Sequence, residues 1–253
     1  MNNALIAMAT TLLLAALALW LSDAQVELFL LLNQASSQLP DWLWANLTLL
    51  ADTLWAVAAL LIAASFRPQL FVKALLTFLL GALIVHLAKA GFDASRPALV
   101  LGKEAFHIIG PTLKHHSFPS GHAFTAMATA GLLALTFPRA AIAILTIGAL
   151  AAFSRIAVGA HWPLDVLVGG GLGLLTAVVG VQSANKIALF QHNGWRMAAL
   201  VLLTLATIAL IFHDDRYPMT QALTVLSALV ALAISVQRMW WPLMRLIRQT
   251  DRS

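Results

Sequence analysis

The sequence predicts an all-α protein of the polytopic membrane class, a six-helix bundle followed by two more transmembrane helices. Three observations lead there. Of 253 residues, 61% are hydrophobic and only 10% are charged, against roughly 25% charged in ordinary soluble domains. The mean hydropathy is +0.88. The charges are spaced so that long uncharged stretches separate them, approaching the about 20 residues a helix needs to cross about 30 Å of hydrocarbon. A water-soluble globule, a disordered chain, a coiled coil and a collagen are excluded together, because 15 Lys and Arg with 10 Asp and Glu cannot cover a solvated surface. Having no cysteine, the chain has no disulfides, thiolate metal sites or cysteine nucleophile. Its formal charge of +5 is scattered through connecting segments, with no basic stripe, which argues against a nucleic-acid partner.

Taken in order, the uncharged stretches are Met1 to Ser22, Thr53 to Phe66, Ala74 to Ala88, His115 to Phe137, Ala140 to Ser154, Val166 to Asn185, Met197 to His213 and Tyr217 to Gln237, eight candidate spans. The first has a long apolar run without a basic leader and reads as an uncleaved anchor, not a signal peptide ending at Ala24. Val26 to Leu39 mixes apolar side chains with Glu27, Asn33, Gln34 and Ser36 and predicts an interfacial helix. The second span begins near Trp42 and carries Asp52 inside it, and the third reaches full length by including Lys73, whose ammonium can snorkel to the interface. Pro68, Pro138, Pro163 and Pro218 fall at or beside span boundaries, and Trp20, Trp42, Trp44, Trp162, Trp195, Trp240 and Trp241 fall near span ends, where interfacial indoles belong. Residues 1–185 thus form a core of six spans, and residues 186–253 add two spans and a basic tail.

Orientation follows from the basic residues of alternate connections. With the N-terminus inside, Arg67, Lys73, Arg139, Lys186, Arg196, Arg238, Arg245, Arg248 and Arg252 are cytoplasmic, whereas Lys89, Arg96, Lys103, Lys114, Arg155 and Arg216 are outside. The outer set clusters with acids and histidines, as a site requires. Both termini are then expected in the cytoplasm, in a bacterial inner membrane whose outer face is periplasmic or exterior.

Three polar clusters interrupt the apolar pattern on that outer face. Lys89 to Pro97 leaves the third span, Pro119-Ser120-Gly121-His122 enters the fourth, and Ser154 to Asp165 connects the fifth to the sixth. Ionisable groups at the edge of a span are expensive to keep there and read as functional. Lys89, Arg96 and Arg155 supply three cations, two of them guanidinium forks suited to phosphoryl oxygens. Ser120 and Gly121 precede an apolar run, so their hydroxyl and amides sit where a helix N-terminus favours an anion. If the sixth span is already helical at His161, His161 and Asp165 form an i, i+4 pair, and the carboxylate fixes the imidazole tautomer that leaves the other nitrogen free to attack. His122 is left for proton transfer to the leaving oxygen.

The spacings Lys-x6-Arg-Pro, Pro-Ser-Gly-His and Ser-Arg-x5-His-x3-Asp, all present without substitution, resemble the three-part signature of the type 2 phosphatidic acid phosphatase superfamily over roughly Ala24 to Gln182. The resemblance implies a six-helix core and cofactor-free, metal-independent hydrolysis of a phosphate ester through a phosphohistidine. It implies phosphate binding by Lys89, Arg96, Ser120, Gly121 and Arg155, a general acid in His122, and a nucleophile in His161 oriented by Asp165. Met197 to Gln237 adds two spans to that core. The connection from Lys89 to Ser120 is too short for a soluble substrate domain, so the expected substrate is a lipid phosphate or diphosphate at headgroup depth. Undecaprenyl diphosphate, phosphatidylglycerol phosphate, phosphatidic acid and lipid A are candidates.

Two rival readings share some of these features. A vanadate haloperoxidase of the same superfamily is disfavoured because such enzymes are soluble. A transporter or channel for a phosphorylated solute or lipid also wants cations near broken helices, but His161 with Asp165 exceeds what binding needs. Asp93, Glu104, His115 and His116 lack a diagnostic metal-ligand spacing. Gly169 and Gly173 form a small-residue pair that predicts close helix packing inside the sixth span.

Overall fold

The computed structural model describes residues 1–188 and 192–250; Arg252, counted above with the cytoplasmic tail, lies outside them. Among the described residues all regular structure is helical. The order is α1 (Asn2–Ser22), α2 (Gln25–Ser36), α3 (Asp41–Leu49), α4 (Thr53–Phe66), α5 (Leu70–Gly91), the single turn α6 (Pro97–Val100), α7 (Gly121–Thr136), α8 (Ala141–Ala157), α9 (Pro163–Lys186), α10 (Asn193–Ile211), α11 (Gln221–Ser235) and α12 (Trp241–Thr250). A turn of π-helix over Val236–Trp240 joins the last two.

Among the described residues, six helical segments are long and apolar enough to cross a membrane, and α3 with α4 would make a seventh. The expected second span is broken rather than continuous. Its two helices meet at 63°, because Asp52 leaves the helical conformation and caps α4, accepting from the amides of Leu54 at 2.8 Å and Trp55 at 3.3 Å. The fourth span is also shorter than expected. Residues 115–120 are not helical, so α7 starts at Gly121 and has 16 residues, about 24 Å at 1.5 Å per residue. Pro119 and the N-cap Ser120 set that late start. The stretch expected to lie in the interface is helical as α2, and the basic tail continues as α12.

Helix α9 lies at the centre, with α1, α5, α7 and α8 packed around it. Its glycines let the neighbours approach. A Cβ on Gly169 would collide with the carbonyl oxygen of Ser120, and one on Gly173 with the carbonyl oxygen of Phe124 and, at 2.9 Å, the amide of Ala128. The small-residue pair therefore seats α7 on α9, as its spacing predicts. Helices α10 and α11 pack on α4. One apolar core joins Leu200, Leu203 and Ala228 from this C-terminal pair to Leu60, Phe71, Leu132 and Ala177. Since α5 and α8 run toward the end from which α7 and α9 depart, all three polar clusters meet there.

Candidate active site

The site is organised by the start of α9. Pro163 is tolerated at the first helical position and disfavours helical backbone in the residue before it, so Trp162 becomes an extended N-cap. Asp165 turns its carboxylate back and accepts from the Trp162 amide at 3.0 Å. His161 therefore lies outside the helix, and the expected i, i+4 helical pairing is replaced by a capping geometry. Its Nδ1 stands 3.3 Å from Asp165 Oδ2, which also accepts from the Ser117 hydroxyl. The backbone carbonyl of Asp165 accepts from the Ser120 amide at 3.1 Å, joining the starts of α7 and α9.

Arg96 closes the other side of the ring. It donates to the carbonyls of His115 at 2.8 Å, Ala160 at 2.9 Å and His116 at 3.3 Å, and its Nη1 is 3.1 Å from His161 Nε2. A carboxylate at Nδ1 and a guanidinium at Nε2 select the tautomer with hydrogen on Nδ1 and the lone pair on Nε2. His161 is 1% exposed. Burial first, and then the charges of Arg96, Arg155 and Lys89, hold it well below the usual histidine range, so the ring is neutral at pH 7. Burial and neighbouring Arg155 bring Arg96 down to about 10, which still leaves it cationic.

Arg155 ends α8 and is 1% exposed. Its Nη1 donates to Thr48 Oγ1 at 2.7 Å and to the Tyr217 hydroxyl at 2.8 Å, while its buried Nε has no hydrogen-bond partner among the described residues. Lys89, half-buried near the end of α5, brings its Nζ within 4.0 Å of the position a Cβ on Gly121 would take. Among the described residues, none of these three cations is ion-paired with a carboxylate. Uncompensated buried charge is costly, and the arrangement suits an anion.

Ser120 caps α7, its hydroxyl oxygen accepting from the Ala123 amide at 3.3 Å. Its own amide is taken by Asp165, so the orphan donors facing the site are the amides of Gly121 and His122. His122 lies within electrostatic reach of Arg155, His161, Arg96 and Lys89. Gly121 and His122 also end an apolar cavity of about 480 Å³ that runs between α4, α5, α7 and α10 past Leu54, Phe78 and Val85. All eight residues singled out in the sequence thus gather at one end of the bundle. Four contributors were not singled out: Ser117, Thr48, Tyr217, and Asn33, whose amide group bonds the carbonyls of Ile156 at 3.2 Å and Ala157 at 3.1 Å, fixing the end of α8. Only Ser117, three residues before Ser120, had a positional hint. Asp93 pairs with His116 at 3.5 Å and Glu104 with Lys103 at 3.6 Å, so that acidic and histidine set does not gather at one point.

Residues 70–188 match the PAP2 superfamily. Lipid A 1-phosphatase of Rhizobium etli is 33% identical over 134 residues, covering 48% of this chain and 55% of that protein. Undecaprenyl-diphosphatase of Sulfolobus acidocaldarius is 29% identical over 160 residues, covering 62% and 77%. The crystal structure of Aquifex aeolicus LpxE superposes with a TM-score of 0.56 at 26% identity, over 62% of this chain and 94% of that one. The chain thus spans about half the length of the first of these relatives.

Proposed function

We propose that this membrane protein, whose residues 70–188 match the PAP2 superfamily, is a lipid phosphatase that hydrolyses a phosphate mono- or diphosphate ester through a phosphohistidine, on the extracytoplasmic face. The observation that carries the reading is that Lys89, Arg96 and Arg155, three cations without a carboxylate partner among the described residues, gather around an oriented, neutral histidine whose Nε2 faces Arg96 at 3.1 Å. Lys89, Arg96, Arg155 and the amides of Gly121 and His122 bind the phosphoryl group and stabilise the charge that grows on its equatorial oxygens. The lone pair of His161 Nε2, released from Arg96 as the phosphate takes up that guanidinium, attacks phosphorus. Asp165 balances the imidazolium that forms. The bond to the leaving oxygen breaks as His122, which carries a proton in the substrate complex where the negative phosphoryl group offsets Lys89, Arg96 and Arg155, gives that oxygen the proton. His122 then takes a proton from water, which attacks the phosphohistidine, releasing phosphate and restoring His161.

The apolar cavity ending at Gly121 and His122 favours a substrate with a hydrocarbon tail over a soluble ester. The names of the relatives make lipid A and undecaprenyl diphosphate the first substrates to test, with phosphatidylglycerol phosphate and phosphatidic acid beside them. Purified protein in detergent should release phosphate from at least one lipid of that panel and be inhibited by orthovanadate. No release from any of them would remove the reading. The outward orientation rests on the basic-residue count, and a periplasm-only reporter active when fused after Ser253 would overturn the even span count and the placement of the last two helices, while leaving the site assignment standing.

A further inference from the structure

We propose that Tyr217, in the connection between α10 and α11, is a positioning residue of the anion site. Its hydroxyl holds the Arg155 guanidinium and turns its own hydrogen toward the phosphoryl group. The C-terminal helical pair thereby completes a site whose signature residues all lie in 70–188. This inference rests on the phosphatase reading and extends it to a residue outside the matched domain.

The hydrogen balance points there first. Arginine is a donor only, so the phenol oxygen must accept from Arg155 at 2.8 Å. Its own O–H then needs an acceptor, and among the described residues the phenol oxygen has no other hydrogen-bond partner. Both groups on Arg155 Nη1, Thr48 and Tyr217, are neutral hydroxyls. They orient the guanidinium without cancelling its charge, whereas a carboxylate in either place would compete with phosphate.

The seating of the ring is equally specific. Tyr217 is 9% exposed and packs with Trp44, Ile109, Ala157, Val158 and Ala160. Its ring presses on Gly110 so closely that a Cβ there would lie 2.6 Å from a ring carbon, at a backbone φ of 78° that side chains rarely adopt. Asp215 Oδ1 accepts from the Tyr217 amide at 3.0 Å and from the Thr220 hydroxyl at 2.7 Å, which pins the turn. Asp52, at the break between α3 and α4, brings its Oδ2 within 3.3 Å of His213 Nε2 in the same connection.

The test compares wild type with Tyr217→Phe, which keeps the ring and removes the hydroxyl, using the full chain in detergent. We expect orthovanadate inhibition to weaken about tenfold and kcat/KM on the lipid phosphate to fall about as much, with an unchanged unfolding temperature. A second arm needs no substitution, because Tyr217 is the only tyrosine: 3-fluorotyrosine incorporated throughout reports from this position alone, and its ¹⁹F resonance should shift on saturation with vanadate. A Tyr217→Phe protein within about twofold of wild type in vanadate inhibition and kcat/KM would overturn the inference while leaving the phosphatase reading intact. Should that variant not accumulate, the ¹⁹F arm decides: a shift supports the inference and no shift overturns it. Wild type that neither releases phosphate nor responds to vanadate would overturn both.

Discussion

Helix α9 buries 67% of its most apolar window, whereas the span that contains α11 buries 22%, although their mean hydropathies, 2.0 and 1.7, nearly coincide. The difference lies in side-chain size. Along α9, Gly169, Gly170, Gly171, Gly173 and Gly180 are flanked by neighbouring helices at van der Waals range or closer. Along α11, Leu226 is 60% exposed, Leu229 52% and Val230 43%. Lipid is as apolar as leucine, so hydropathy inserts both helices, but only the absence of side chains draws protein around one of them. The polar chemistry follows the packing. A buried Asp165 needs Ser117, Trp162 and His161 about it, and only the crowded helix has such company.

Substitutions along the two helices sharpen that contrast, in falling order of effect. On the proposed mechanism, His161→Ala should abolish turnover on a lipid phosphate and on p-nitrophenyl phosphate alike, since no leaving group replaces a missing nucleophile. Acid-labile phosphate trapped on that variant would show the wrong histidine was chosen. Asp165→Asn should reduce turnover by about a hundredfold or more without erasing it, because the attacking nitrogen survives while its tautomer and charge partner suffer; rates on both esters measure this. Gly173→Val, deep in α9, meets backbone that has no flexible end to yield. It should destabilise by about 1–3 kcal/mol or more, read as unfolding temperature in detergent, and an unchanged melt would break the comparison. Leu226→Ala with Leu229→Ala on α11 should alter neither melt nor rate beyond error, because lipid or detergent fills the space.

A pH series tests the same burial. Protonation of His161 is disfavoured in the folded state, so below about pH 6.5 the unfolded chain binds more protons than the native one. Its contribution to stability is therefore complete above that pH and is lost as pH falls toward the depressed native value. The decline should be smaller in His161→Ala, as measured by melts across the acid range.

Much of this was legible in the sequence. Charge spacing located α1, α5, α8, α9, α10 and α11, and the motif spacings located the eight signature residues, because span length and motif register are local properties. The break at Asp52 was less legible, since a single carboxylate in an apolar run can be snorkelled, buried or used as a cap, and only the folded backbone shows it used as the cap of α4. The His161–Asp165 spacing makes a helical pair only if the sixth span is already helical at His161, and α9 starts at Pro163. The pairing survives, but Pro163 dictates a different backbone path to it. Thr48 and Tyr217 carried no local signal, because each meets Arg155 only through the tertiary approach of α3 and of the α10–α11 connection to the end of α8.

The three hydrogen bonds on Asp165 Oδ2, with the one on its carbonyl, have an evolutionary corollary. The side chain that aligns the imidazole is also the start signal of the central helix, and its main chain fastens the neighbouring helix in place. On the proposed mechanism, selection for a well-made protein and selection for an active one would therefore act on the same atoms. A lineage that abandoned the chemistry would first need another way to begin α9, and a Ser, Thr or Asn at Trp162 beside a changed Asp165 would be the mark of such a passage.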